Sequence, residues 1–247
     1  MAIIAAPSCV IPGTAAQNAR FLHQRAGGRI REIALCFFET QPSLACTADD
    51  LPEAELPFSW HVHLPVDLPW QIGPEASANC ALRLMRKIEA LQPRMAVLHA
   101  SDLPARKALL AAFADMWSAR CAVPLLLENV ESCDLLDVAR IIADAECGVC
   151  LDLGHMLAYG QHAILDHPEL VSRVRLAHWS APGGADRHLS LARLTEEEKG
   201  ALQAAAAQLP DTTTHLLEIF DWNGVEESLA LLPELLQPRP AEQAGRA

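Results

Sequence analysis

Basic residues are scarce in this sequence. Over 247 residues, 19 Lys and Arg face 31 Asp and Glu, for a formal net charge of −12. Lys and Arg supply most non-specific affinity for nucleic acid by neutralising phosphates, so this balance counts against a polyanion as partner. Bound cations would offset acidic charge locally, so that exclusion concerns the whole-chain field only. Aromatic residues are few as well, at 5%, while 51% of the chain is apolar. The expected core is therefore aliphatic. No apolar run approaches the ~20 residues of a membrane helix. The opening MAIIAAPSCVIPG lacks the basic segment of a secretory signal. A cytoplasmic protein that contacts no membrane is expected. Nor do the eight cysteines suggest a disulfide or zinc framework. Most sit inside apolar runs, as Cys36 does in IALCFFE, and the CGVC spacing of Cys147 and Cys150 flanks a glycine entering a strand. They read as reduced core residues.

What is present is alternation. Short apolar runs recur at 3–9, 30–39, 58–67, 95–101, 123–129, 148–154, 173–180 and 215–221. Several are apolar on both faces, as parallel strands covered by helices require. Between them lie helical patterns. SANCALRLMRKIEALQ opens on Ser77 as a cap candidate, and TEEEKGALQAAAAQL opens on Thr195 with Glu198 in capping-box spacing. ARKALLAAFADMWSARC, CDLLDVARIIADAE and GVEESLALLPELLQ share the same period. Segment 40–57 carries a weak helical signal at best. Eight strands with interleaved helices and no linker predict one α/β domain, a (β/α)8 TIM barrel over 1–238 with a tail at 239–247.

In such a barrel the chemistry sits at the carboxyl ends of the strands. Glu39 ends the second run, His61 and His63 lie on the third, and His99 on the fourth. Glu128 follows on the fifth, Asp152 with His155 on the sixth, His178 on the seventh and Glu218 on the eighth. A loop beyond the seventh, SAPGGADRHLSL, adds Asp186 and His188. Any one of these has an ordinary explanation as a hydrogen-bonded strand end. Together they converge on one barrel end from consecutive apolar strands, where unpartnered charge costs several kcal/mol. Divalent cations would satisfy that convergence, and imidazole with carboxylate suits Zn²⁺, Mn²⁺ or Fe²⁺.

These residues resemble the ligand set of the endonuclease IV-like branch of the xylose isomerase-like barrels. His63, His99, Glu128, Asp152 and His155 of LDLGH, His178, Asp186 and His188 of DRH, and Glu218 match it in order. The resemblance covers nearly the whole chain, and sugar isomerases of that superfamily usually bind fewer metals. Three further stretches, CVIPGTAAQNARFL, IREIALCFFE and WHVHLPVDLPW, resemble the cobamide-remodelling phosphodiesterases, the CbiR family. That resemblance implies hydrolysis of the phosphodiester in the nucleotide loop of a cobamide, releasing a cobinamide-type corrinoid. It implies up to three divalent ions, zinc above all, with manganese or iron as substitutes. Glu128 would bridge two, His63 and His99 completing the first and Asp152, His178 and Glu218 the second. His155, Asp186 and His188 would hold the third, so that Asp152 and His155 serve different ions. Glu128, Asp152 and Glu218 would carry the catalytic roles. Such ions acidify bound water and neutralise phosphoryl oxygens, and no amino-acid nucleophile is then needed.

Other residues are candidates for the substrate or for support. His61, two residues before His63, points to the same strand face and is either a supporting or a core residue. Glu39 would orient a ligand or touch substrate. Asp67 and Trp70 in the Pro-rich HLPVDLPW would line the mouth. Trp179 and Trp222 follow ligand-bearing strands and would wall a large ring or simply pack. The rival activities are an apurinic-site DNA endonuclease and a metal-dependent sugar isomerase or epimerase. A non-catalytic corrinoid-binding module would have no use for so many ligands.

Overall fold

The computed structural model describes residues 2–184 and 188–237. Eight strands form: β1 (Ile3–Pro7), β2 (Glu32–Cys36), β3 (Ser59–His63), β4 (Ala96–His99), β5 (Leu125–Glu128), β6 (Gly148–Asp152), β7 (Val174–Trp179) and β8 (Thr214–Leu217). All neighbouring pairs are parallel and the order β1 to β8 closes on itself, with Ile4 of β1 opposite His215 of β8. The helices are α1 (Ala15–Arg25), α2 (Thr40–Ala45), α3 (Pro74–Lys87), α4 (Arg106–Ser118), α5 (Leu135–Asp144), α6 (Leu153–Tyr159), α7 (Pro168–Val171), α8 (Glu196–Ala206) and α9 (Trp222–Leu235). The chain is thus the (β/α)8 barrel expected from its alternation.

The two-sided apolar strands have a direct cause. Side chains alternate across a strand. One set, Ala5, Ala34, Met95, Val97, Leu126, Cys150, Leu176 and Leu216, packs inside the barrel as a cluster of its own. The other set, including Ile33, Leu35, Leu98, Leu127, Leu151 and Leu217, packs outward into the main core beneath the helices. Each such side chain contributes about 1.5–3 kcal/mol by leaving water. Most of both strand faces is withdrawn from solvent, Arg175 of β7 being an exposed exception.

The strands are shorter than the apolar runs that announce them. β2 stops at Cys36, so Glu39 is not a strand end but the exposed N-cap residue of α2. Segment 40–57 resolves into α2 and a single tight turn at Ala48–Asp50. Helix α1, unannounced by a strong apolar period, is set by a complete capping box between Thr14 and Gln17. The cap anticipated at Ser77 is not one: α3 begins earlier, with Pro74 at its first position, where a missing N–H costs nothing. Thr195 and Glu198 do form the expected box on α8. Residues 239–247, read as a tail, lie outside the described residues. No described helix is long and apolar enough to cross a membrane.

Candidate metal centre

The polar side chains sit where the strands end. His63, His99, Glu128 and Asp152 are the last residues of β3, β4, β5 and β6. His178 is the second-last of β7, and Glu218 stands one residue past β8. Register brings them level, with His99 opposite Glu128 and Asp152 opposite His178. Glu128 is the hub. Its Oε2 lies 3.1 Å from His63 Nε2 and 3.2 Å from His99 Nε2, and its Oε1 lies 3.1 Å from His178 Nδ1.

Local sequence fixes the orientations. His63 donates from Nδ1 to the carbonyl of Leu64 at 2.9 Å, which turns Nε2 toward Glu128. His155 likewise donates from Nδ1 to the Asn129 carbonyl at 2.9 Å. Backbone anchoring of this kind sets the tautomer and the orientation of the ring. The spacing in LDLGH is that of a helix cap. Asp152 is the N-cap residue of α6, and its Oδ1 accepts the His155 backbone N–H at 2.6 Å. Gly154 is required between them, because a Cβ there would collide with Ser180 Oγ and sit 3.2 Å from Asp152 Oδ1.

Behind this first layer lies Asn129, which the residue pattern did not single out. Its side chain clamps β5 to β6: Oδ1 accepts the Asp152 N–H at 2.7 Å and Nδ2 donates to the Asp152 carbonyl at 2.9 Å. Nδ2 also donates to Gln161 Oε1 at 3.0 Å, and Gln161 donates onward to the Val130 carbonyl. The only hint in the sequence is a polar residue directly after Glu128 at the end of an apolar run.

Electrostatics record the crowding. Burial alone would raise Glu128, but the charges of His178 and His99, with hydrogen bonds from His178 and His63, hold its carboxyl well below the usual range. Glu218 is lowered in the same way, its burial outweighed by His178. The partner imidazoles move up against the penalty of burial, His155 to about 9 under Asp152 and Glu128, and His178 and His63 in the same direction. Asp152 differs. Burial dominates there and raises its carboxyl. Cys150, below the cluster, is pushed far up by burial, and its thiol lies within reach of Glu128 and His178.

The donor set fits divalent cations. Among the described residues Asp152 Oδ2, Glu218 Oε2 and His178 Nε2 in the cluster, and His61 Nε2 below it, are buried with no hydrogen-bond partner. His178 Nδ1 is 2.8 Å from Glu218 Oε2, but not aligned for a hydrogen bond. Each orphaned atom costs about 1–3 kcal/mol, a cost that ligation of the two carboxylate oxygens removes. Four overlapping groups among the described residues have ligand atoms within 4.8 Å of one another: His63, His99 and Glu128; Glu128, Asp152, His178 and Glu218; Asp152, His155 and His188; and Glu128, Cys150 and His178. Asp152 therefore reaches both His178 and His155, rather than standing with one alone. Asp186 lies outside the described residues.

The remaining candidates separate. Asp67 and Trp70 line a cleft of about 520 Å³ beside His99 and His155. Asp67 also accepts from the Thr40 N–H and hydroxyl, tying α2 to the mouth. His61 does not reach the mouth. It lies inside the lower barrel, its Nδ1 2.6 Å from Glu32 Oε1, while Arg94 and Ser59 donate to Glu32 Oε2. Trp179 is likewise no pocket wall. It neighbours the inward His178, so it points outward, fully buried, with Nε1 donating to His215 Nδ1 at 3.1 Å. Trp222 packs edge-on against Phe21, 5.4 Å away, between α1 and α9.

Above the cluster a cleft of about 230 Å³ is lined by His63, His99, Glu128, His155, His188 and Glu218 with Phe38, Val66 and Phe220. It continues through His155 into the 520 Å³ cleft and into one of about 370 Å³ along Tyr159, Pro182 and Gly183. Among the described residues no Lys or Arg lines any of the three. Two clefts of about 530 and 660 Å³ open at the amino ends of the strands, and no residue of the cluster lines either.

No protein-family model matches the chain, and no curated protein matches it. Solved structures do match in fold. A D-tagatose 3-epimerase-like protein superposes with a TM-score of 0.69 at 14% identity, over 95% of this chain and 97% of the other. An L-ribulose 3-epimerase gives 0.69 at 16%, over 96% and 95%. Endonuclease IV from Thermus thermophilus gives 0.66 at 18%, over 94% and 99%. The fold is that of the xylose isomerase-like TIM barrels.

Proposed function

We propose that this xylose isomerase-like barrel is a metal-dependent phosphodiesterase that opens the nucleotide loop of a cobamide and releases a cobinamide-type corrinoid. The observation that carries the proposal is the overlap of three ligand groups through Glu128 and Asp152. One cation suffices to polarise the carbonyl of a sugar. Displacement at phosphorus develops charge on the attacking, non-bridging and leaving oxygens together, and a shared multi-cation cluster answers that demand.

In this reading His63, His99 and Glu128 hold one ion, Glu128, Asp152, His178 and Glu218 a second, and His155 and His188 a third with Asp152 in reach. When bound, such ions supply water acidified toward neutral pH and Lewis-acid neutralisation of the phosphoryl oxygens. The chain's own contribution is orientation and exclusion. Leu64 and Asn129 carbonyls turn His63 and His155. Asn129 holds the Asp152 backbone, and buried Glu128 keeps its charge while the apolar barrel beneath excludes water. The raised histidines would have to release their protons to solvent before ligating, so loading is favoured as pH rises.

Among the described residues the clefts have an acidic lining without Lys or Arg, which favours a corrinoid over a DNA duplex. An epimerase is the second reading, favoured by the fold match to the D-tagatose 3-epimerase-like protein and the L-ribulose 3-epimerase. Purified protein reconstituted with Zn²⁺, Mn²⁺, Fe²⁺ or Co²⁺ and given adenosylcobalamin, abasic-site DNA or a ketohexose separates these. A cobinamide-type product is expected by chromatography. Epimerised sugar with unchanged corrinoid would establish the second reading instead.

A further inference from the structure

The mouth is chemically divided. The exposed large apolar side chains of the described residues, Phe38, Val66, Ile72 and Phe220, all follow the carboxyl ends of β2, β3 and β8. They therefore share one side of the barrel mouth. Phe38 and Phe220 meet edge to face, ring centres 5.3 Å apart and planes at 87°, and Phe220 also abuts His188 at 5.1 Å. Phe38, Val66 and Phe220 border the same cleft as Glu128 and Glu218. The cleft on the other side of the mouth carries Asp102 and Glu131 with no cation in its lining among the described residues, while Arg106 stands behind it, its Nε donating to the Ser101 carbonyl.

Apolar side chains clustered at the edge of a buried polar site, and not scattered over the surface, mark a contact surface. A small polyhydroxylated sugar has no apolar face to lay there. A polyanion would meet the carboxylates opposite. We infer that Phe38, Val66 and Phe220 form a specificity-determining lip that carries the flat apolar face of a macrocyclic substrate, while Asp102 and Glu131 accept from amide donors on its rim. Two features point to this occupant: continuity of the lip with the metal cluster, and the match of an acidic edge to neutral or cationic donors. This inference rests on the corrinoid reading of the same site.

The test uses the metal-loaded protein and adenosylcobinamide, a corrin that lacks the nucleotide loop and so cannot be turned over. Equilibrium dialysis should show Phe38→Ala/Phe220→Ala binding it about tenfold or more weakly than the parent, as loss of two aromatic anchors would produce. Phe220→Tyr, which keeps the ring, should stay within about threefold. Metal content of these variants should match the parent, because neither ring supplies a ligand atom, and the unfolding temperature reads separately the packing lost between Phe38, Phe220 and His188. Asp102→Asn/Glu131→Gln should weaken binding with a smaller salt response. Equal affinity of parent and double Ala variant, or no binding by the parent, overturns the lip. Hydrolysis of adenosylcobalamin is scored separately. Hydrolysis with lip-independent binding removes the lip alone, and lip-dependent binding without hydrolysis removes the phosphodiesterase alone.

Discussion

Asp152 caps the helix that carries His155, accepting its N–H at 2.6 Å through Oδ1, while Oδ2 is buried with no hydrogen-bond partner among the described residues. One carboxylate thus does two jobs, and its raised pKa shows that burial disfavours its charge when no ion is present. A carboxyl raised in the folded state stabilises only below its unfolded pKa and loses that contribution as pH rises through the folded value. At neutral pH it is a liability without metal. Asp152→Asn keeps the cap and removes the charge. The chelated variant should unfold at or above the temperature of chelated parent, whereas the zinc-loaded variant should unfold below zinc-loaded parent. Metal affinity should fall at least tenfold. Paired melting curves with and without chelator decide it, and a variant less stable in both states refutes the assignment.

Gly154 tests the spacing itself. Gly154→Ala forces a methyl onto Ser180 Oγ and close to the Ser180 carbonyl. A loss of about 1–3 kcal/mol is expected from overpacking. Ser180→Ala in the same chain should restore part of it. Denaturant titration of the two single variants and the double gives the coupling, and strict additivity would show that the contact is not the cause.

Asn129→Ala leaves the Asp152 N–H and carbonyl and the Gln161 amide without their buried partner. Each of the three orphans costs about 1–3 kcal/mol, so a loss of about 3 kcal/mol or more is expected. The metal should also bind more weakly, by about 10–100-fold, as for other residues that orient ligands. Isothermal titration of zinc into the chelated variant measures this. Parent affinity would make Asn129 a packing residue only.

His215 predicts an acid limb away from the metals. Burial lowers it from 6.5 to about 4, and its Nδ1 accepts from Trp179 only while neutral. Its folded pKa lies below its unfolded one, so stability is full above about pH 6.5 and is lost as pH falls toward 4. The full loss is about 3 kcal/mol, at 1.36 kcal/mol per unit. Stability of the His215→Gln protein should fall less over that window in urea titrations at stepped pH. Parallel curves for the two proteins would mean another group carries the limb.

The barrel was legible because parallel strands buried on both faces leave near-continuous apolar runs, and the cluster because ligand types ended those runs. What the runs hid was length. Glu39 and Phe38 follow an apolar stretch past the true end of β2, where residue pairing with β1 and β3 ends, and only tertiary pairing reveals that stop. Trp179 was readable: a residue beside the inward His178 has to face outward. Asn129 was not, since its three partners come from β6 and the turn after α6. The Phe38–Phe220 contact joins the second strand to the eighth, and no local pattern announces it.

The most direct test of the phosphodiesterase is to run the reaction of zinc-loaded protein with adenosylcobalamin in water enriched in heavy oxygen. Attack at phosphorus predicts a cobinamide-type pool with one labelled oxygen on the phosphate-bearing product, abolished by chelation and by Glu128→Gln. Intact, unlabelled corrinoid with every metal tried would contradict the account.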